Sequence, residues 1–154
     1  SDNVHHEAEL AVVVSRVARH VMAEDASAYI LGYTAANDVS ARDLQKKDGQ
    51  WARAKGFDTF CPLGPAIETE LDPLEKLAVI CRVNGEVRKA GFTYDMVFGV
   101  AELFEFVTSV MTLLPGDVLL TGTPAGVSKV EPGDLMEVEI DGIGVLQNRV
   151  VAAR

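Results

Sequence analysis

Cysteine is scarce in this chain of 154 residues: Cys61 and Cys81 are the only two, they form no CxxC pair, and no neighbouring histidine pair completes a zinc site. That usage excludes a disulfide framework and a structural zinc cluster, and it points to a reducing, cytoplasmic setting. Apolar neighbours, Phe60 and Pro62 for the first and Ile80 for the second, mark both thiols as small buried hydrophobes without a redox role. Basic residues are outnumbered, 14 Lys plus Arg against 23 Asp plus Glu, and the resulting net charge of -9 repels phosphate backbones and anionic headgroups. The expected partners therefore include no nucleic acid and no membrane. No hydrophobic run of spanning length is present, and no basic-then-apolar leader precedes the first elements. What is there, 48% hydrophobic and 24% charged residues, is the mixture of one globular domain over residues 1–154 with its own core. The same acidic field repels a small anionic ligand, so binding one demands a local positive centre such as a metal ion.

Strand signals dominate. Glu7 to Val14 is short and β-branched, a strand that is polar at its start and buried further on. A short helix is expected from Asp25, with Asp25 as its N-cap and Gly32 as its stop, followed by a strand over Tyr33 to Asn37. Ser40 to Asp43 reads as a capping-box variant opening a helical turn that carries Arg42 and Gln45. Residues 46–76, with Gly49, Gly56, Gly64 and three prolines, read as a loop-rich excursion. Asn84-Gly85 between Leu77–Val83 and Glu86–Lys89 specifies a hairpin, because both turn residues tolerate positive φ. Met96 to Met111 has helical periodicity with one apolar face. Pro115-Gly116-Asp117 and Pro132-Gly133-Asp134 each turn into a strand, Val118–Thr121 and Leu135–Ile140, and a last strand is expected over Gly144–Val151. Connections this short rule out regular βαβ alternation; the fold class is mostly antiparallel β with some α, a roll or sandwich.

Glu7 and Glu9 stand two apart on a strand, a spacing that sends both carboxylates to one face. Like charges that close resist joint ionisation, and an all-oxygen set relieves the conflict with a hard cation, Mg2+, Mn2+ or Ca2+. Alternating Glu on a solvated strand face is the competing explanation. Asp38, at a strand-to-helix junction, offers a third carboxylate. Lys55 and the loop Gly122-Thr123-Pro124-Ala125-Gly126 offer a cation, a hydroxyl and backbone N–H groups for an anion. That loop lacks the GK[ST] ending of a P-loop, and His5 and His6 lack the HExxH spacing of a zinc protease. His20 reads as a surface histidine.

These segments resemble the fumarylacetoacetate hydrolase family. The resemblance is carried by His5-His6-Glu7-Ala8-Glu9-Leu10, by Gly32-Tyr33-Thr34 through Asn37-Asp38 to Arg42-Asp43-Leu44-Gln45, and by Gly49-Gln50-Trp51 through Lys55 to Gly64-Pro65. Val83-Asn84-Gly85-Glu86, Met111-Thr112 through Pro115-Gly116-Asp117, and Thr121-Gly122-Thr123-Pro124 continue it, so that it spans His5 to Val151. The resemblance implies the family's mixed β-sandwich roll, usually a homodimer, with a divalent metal, most simply Mg2+, held by Glu7, Glu9 and Asp38. It implies a small anionic 2-oxo acid, 1,3-diketo acid or enol as substrate, chelating the metal through adjacent oxygens. Lys55 matches the family's active-site lysine, placed to meet a developing oxyanion, while Gln45 and Thr123 are expected to orient substrate. Arg42 is expected to bind substrate or, the favoured reading, to brace the acids through ion pairs. C–C hydrolysis, decarboxylation and double-bond isomerisation all draw on the same enolate, and the shared residues do not choose among them. The Asp48–Trp51 and Phe57–Pro62 segments resemble dienedioate-isomerase-like members, which favours an isomerase acting in aromatic catabolism. Hydrolytic members use an upstream lid segment to activate water, which this chain is expected to lack, so the general base stays unassigned. The rival from another class is a metal and oxo-acid binding module without turnover.

Overall fold

A computed structural model describes residues 1–72 and 76–152. In chain order its strands are β1 (Val4–His5), β2 (Ala8–Val14), β3 (Ile30–Asn37), β4 (Ser40–Ala41), β5 (Leu63–Glu68), β6 (Ala78–Val83), β7 (Glu86–Phe92), β8 (Val118–Leu120), β9 (Leu135–Ile140) and β10 (Gly144–Arg149). Three short helices, α1 (Arg42–Asp48), α2 (Ala52–Lys55) and α3 (Val100–Val110), and two 3-10 turns, Ala23–Tyr29 and Thr93–Asp95, complete the described elements. One four-stranded sheet runs β5-β3-β2-β8 and the other β10-β9-β6-β7, with every pairing antiparallel. This is the sheet-rich α+β architecture expected from the sequence.

The two sheets share one apolar core. Leu10, Val12 and Val14, alternate residues of β2, cluster with Val79 and Cys81 of β6, Val138 and Ile140 of β9, and Phe104 of α3. The strand period of two sends the intervening residues of β2 to its other face, and that face is buried as well. Helix α3 contributes Val100, Phe104 and Thr108, spaced four apart on one stripe. Removing a side chain as large and as fully enclosed as Phe104 costs about 3–5 kcal/mol.

Several local expectations change in context. The expected helix at Asp25 is a 3-10 turn that begins at Ala23, and its first N–H is taken by Glu105 Oε2 of α3 at 2.9 Å, so a distant carboxylate caps it and Asp25 does not. Gly32 does not stop this turn but lies inside β3, where a Cβ would come within 2.4 Å of the Glu68 carbonyl; the β3–β5 approach requires glycine. Ser40 forms no capping box: it is wholly buried in β4, its hydroxyl lies 3.0 Å from the Asp38 carbonyl and 3.3 Å from Glu7 Oε1, and α1 starts at Arg42. The 46–76 stretch holds the end of α1, all of α2 and the edge strand β5, while its residues 73–75 lie outside the described residues. Helix α3 is shorter than its periodicity suggested, because Met96 is extended and Gly99 opens the helix with its N–H on Glu102 at 2.8 Å. Cys81 is buried as expected, whereas Cys61 is only half-buried.

Candidate metal centre

The site begins with the face of β2 that points away from the sandwich core. Glu7, immediately before β2, and Glu9 within it are 6% and 3% exposed, which removes the solvated-face explanation of their spacing. Antiparallel pairing sets Ala8 opposite Asn37, so the residue after β3, Asp38, arrives beside Glu7 and donates its backbone N–H to the Glu7 carbonyl at 2.8 Å. Buried Asn37 fixes the corner by accepting the Glu7 N–H at 2.9 Å. One carboxylate oxygen from each of Glu7, Glu9 and Asp38 lies within 4.8 Å of the others.

Three acids brought together in a buried place need compensation, and the structure supplies it from two directions. Lys55, the last residue of α2, donates to Glu7 Oε2 at 3.0 Å and to Asp38 Oδ2. Arg42 pairs with Glu7 Oε1 and donates to Gln45 Oε1 at 3.0 Å, so the guanidinium braces a carboxylate while holding Gln45. Glu9 receives a neutral donor instead, the Gly122 N–H at 2.6 Å. Burial pushes the Glu9 carboxyl up to about 7; the Gly122 hydrogen bond opposes this, and the charges of Asp38 and Glu7 add to it. Burial also works against the Lys55 ammonium, but its hydrogen bonds to Asp38 and Glu7 outweigh that and raise its pKa. A raised carboxylate facing two more across a small gap is a site short of positive charge. An all-carboxylate donor set at this spacing fits a hard divalent cation rather than zinc, so the residues present fit the expected metal.

The remaining residues sit at the rim or behind it. Thr123, on the loop after β8, donates its hydroxyl proton to the Ala8 carbonyl at 2.7 Å and accepts from Lys89 of β7. A cavity of about 280 Å3 adjoins this loop, lined by Gly122, Thr123 and Pro124 with Leu10, Phe92 and Phe98 among the apolar walls. A larger one, about 480 Å3, lies around Tyr33, Met96 and Val100, and neither cavity is lined by Glu7, Glu9 or Asp38. His6 is fully buried between Cys81 Sγ at 3.2 Å and Ser128 Oγ at 2.9 Å, and burial, aided by the Lys89 and His5 charges, lowers its pKa to about 4. A neutral, enclosed imidazole of this kind is a packing group. Sequence pattern does not single out Lys89, which reaches the site only through the sheet register, whereas the 122–126 loop expected to offer backbone N–H groups to an anion gives its Gly122 N–H to Glu9.

Residues 1–151 match the family described as Fumarylacetoacetate (FAA) hydrolase C-terminal. The chain belongs to the fumarylacetoacetate hydrolase family. Among solved structures it is similar to the 5-carboxymethyl-2-hydroxymuconate delta-isomerase of Mycobacterium smegmatis, at 54% identity and a TM-score of 0.97, covering 99% of this chain and 61% of that one. An uncharacterised protein of Methanocaldococcus jannaschii is 53% identical over 97% of this chain and 63% of its own length. The mitochondrial oxaloacetate tautomerase FAHD2A of Homo sapiens is 47% identical over 98% of this chain and 52% of its own. The chain thus spans less than two thirds of the length of these family relatives. Among the described residues, no helix is long and apolar enough to cross a membrane.

Proposed function

We propose that this chain is the catalytic domain of a divalent-metal-dependent enzyme that acts on a 2-oxo acid or its enol through an enolate, with Mg2+ as the metal. The observation that carries this reading is the buried convergence of Glu7, Glu9 and Asp38 with the Lys55 ammonium on two of them. The metal, held by those three carboxylates, would supply Lewis-acid stabilisation of the enolate. The protein's own residues do the rest. Lys55 places a positive charge beside the carboxylates, where it would meet the negative charge that develops on a substrate carbonyl oxygen; a preorganised donor of that kind contributes about 2.7–4 kcal/mol to a transition state. Arg42 holds Glu7 and Gln45 in fixed positions, and Gln45 is the amide expected to orient the ligand.

Within that chemistry we place a 2-hydroxyhepta-2,4-diene-1,7-dioate isomerase-type activity first, supported by two similar mycobacterial structures, one named a delta-isomerase of 5-carboxymethyl-2-hydroxymuconate and one an isomerase of the dienedioate. A keto–enol tautomerase of oxaloacetate is the second reading, supported by the curated relatives that carry that name. Both are proton shifts next to a carboxylate-bearing carbonyl, and both use the same donors. A homodimer and a cytoplasmic setting belong to the same proposal.

Calorimetric titration of oxalate, a stable mimic of an enolised 2-oxo acid, in Mg2+ and again in chelator tests the reading. Binding that requires Mg2+ is expected, followed by turnover in a panel of dienedioates, acylpyruvates and oxaloacetate. Absence of oxalate binding in both conditions overturns the metal-chelate site, and binding without turnover leaves a binding module.

A further inference from the structure

Lys89 is a lysine in an unusual place. Only 4% of it is exposed, and among the described residues its ammonium has one hydrogen-bond acceptor, the Thr123 hydroxyl, and no carboxylate partner within ion-pairing distance. An ammonium has three N–H donors, and burying it without an opposite charge is costly unless something anionic completes it. The other two cations of the site, Lys55 and Arg42, are each ion-paired to Glu7, so Lys89 alone keeps its charge uncommitted.

Its position ties it to the site already described. The stem of Lys89 lies under the 121–126 loop, where a Cβ at Gly126 would come within 3.8 Å of it and a Cβ at neighbouring Gly91 within 2.9 Å of Pro124. The same loop sends the Gly122 N–H to Glu9 and the Thr123 hydroxyl to Ala8, so Lys89 and the acid cluster are held by two ends of one short segment. The Thr123 hydroxyl proton is already given to the Ala8 carbonyl, and its oxygen accepts from Lys89. Thr123 therefore has no proton left for a ligand. The donor that it holds in place does.

We propose that Lys89 is the ligand-binding cation at the loop end of this site, taking a carboxylate oxygen of the bound oxo acid, with Thr123 as its positioning residue. The proposal rests on the oxo-acid reading above. Charge gives it a specificity. The three carboxylates are offset by Lys55, Arg42 and Lys89, so a divalent ion leaves a surplus of two positive charges, which matches a dianion. Without Lys89 the surplus is one, which matches a monoanion. Lys89 thus selects doubly charged oxo acids over singly charged ones.

The test compares oxalate with oxamate, a monoanion of nearly the same shape, by calorimetry in saturating Mg2+. The unaltered protein is expected to bind oxalate more tightly, and Lys89→Gln and Lys89→Met to reduce the oxalate-to-oxamate preference at least tenfold. Affinity for Mn2+ alone is expected to stay within threefold, and Lys89→Arg to retain the preference. Thr123→Val, which keeps the charge but frees it from its anchor, is expected to lower the preference by a smaller factor. A preference unchanged in Lys89→Met, or a loss that falls equally on oxalate, oxamate and Mn2+, overturns the assignment and leaves Lys89 as an internal counter-charge. Failure of the unaltered protein to bind oxalate in Mg2+ is a different result: it overturns the oxo-acid reading, and this proposal with it.

Discussion

The two ends of the site bury charge in opposite ways. At the β2–β3 end, Glu7, Glu9 and Asp38 are packed together and two of them are neutralised by direct ion pairs to Lys55 and Arg42. At the β7 end, Lys89 is buried with a single neutral acceptor among the described residues. The first arrangement sets three carboxylates against two cations and buries them, and the Glu9 carboxyl is pushed up to about 7, by burial first and by the Asp38 and Glu7 charges after it. The second holds a positive charge in reserve. A pocket that is too negative on one side and uncompensated positive on the other is complementary to a pair of guests, a cation and an anion joined by chelation.

Breaking the acidic end produces the largest effects. Lys55→Met removes the only cation among the described residues that touches both Glu7 and Asp38, and it is expected to lower turnover of whichever oxo acid the panel identifies by about 10²–10³-fold. Steady-state kinetics at saturating Mg2+ checks it, and a loss below tenfold would leave Lys55 a structural ion pair.

Glu9 gives the next effect, and it has a sign. Its folded pKa lies above its ordinary 4.5, so the folded, metal-free protein holds a proton there that the unfolded chain releases. That contribution is fully present below about 4.5 and is lost as pH rises to about 7. His6 runs the other way, its pKa lowered from 6.5 to about 4, so its contribution is lost as pH falls through that window. The two slopes cancel over much of the range in the unaltered protein. Comparison with Glu9→Gln in chelator isolates the first: the variant is expected to gain stability relative to the parent between pH 4.5 and 7, by on the order of 3 kcal/mol, and the gap is expected to stop growing above about 7. Urea denaturation across that range checks it, and a gap independent of pH would show that Glu9 is not held in this environment.

A smaller and purely thermodynamic effect sharpens the metal end. Asp38→Ala is expected to weaken Mn2+ binding at least tenfold, about 1.4 kcal/mol, in a direct titration. Equal affinity in the variant would remove Asp38 from the ligand set. The smallest expected effect tests whether neutral donors matter beside the cations. Ser40→Ala, which deletes a buried hydroxyl between Glu7 and the Asp38 carbonyl, is expected to cost about 1 kcal/mol in urea denaturation with metal affinity unchanged within threefold. A larger loss of metal affinity would place Ser40 among the groups that orient Glu7.

Much of this architecture is legible in the chain itself, because the features that reveal it are local. The i, i+2 spacing of Glu7 and Glu9 fixes them on one face of a strand, the Asn84-Gly85 turn adopts the positive φ angles of 54° and 79° that its residues allow, and the four-residue spacing of Val100, Phe104 and Thr108 defines the buried stripe of α3. Family resemblance assigned roles to Asp38, Lys55, Gln45, Arg42 and Thr123, and the fold brings Asp38 beside the two glutamates, Lys55 onto Glu7 and Asp38, and Arg42 onto Glu7. Local rules failed where a distant group competed with a local one: Glu105 caps the turn that Asp25 was expected to cap, and Ser40 is drawn to Glu7 instead of capping α1.

Lys89 shows most clearly what sequence pattern leaves undetermined. A regular hairpin around Asn84-Gly85 would set Arg88 opposite buried Cys81 and turn Lys89 outward. The register shift between Cys81 and Arg82 inserts Arg88 as an extra residue, so Lys89 becomes the partner of Cys81 and faces inward. The chain alone determined which residues are strand and turn and that Glu7 and Glu9 share one strand face, because propensity and periodicity act over a few neighbours. The bulge, and with it the choice of Lys89 over Arg88 as the inward-facing cation, was decided by tertiary packing, since only the register of the finished sheet selects the face a side chain takes.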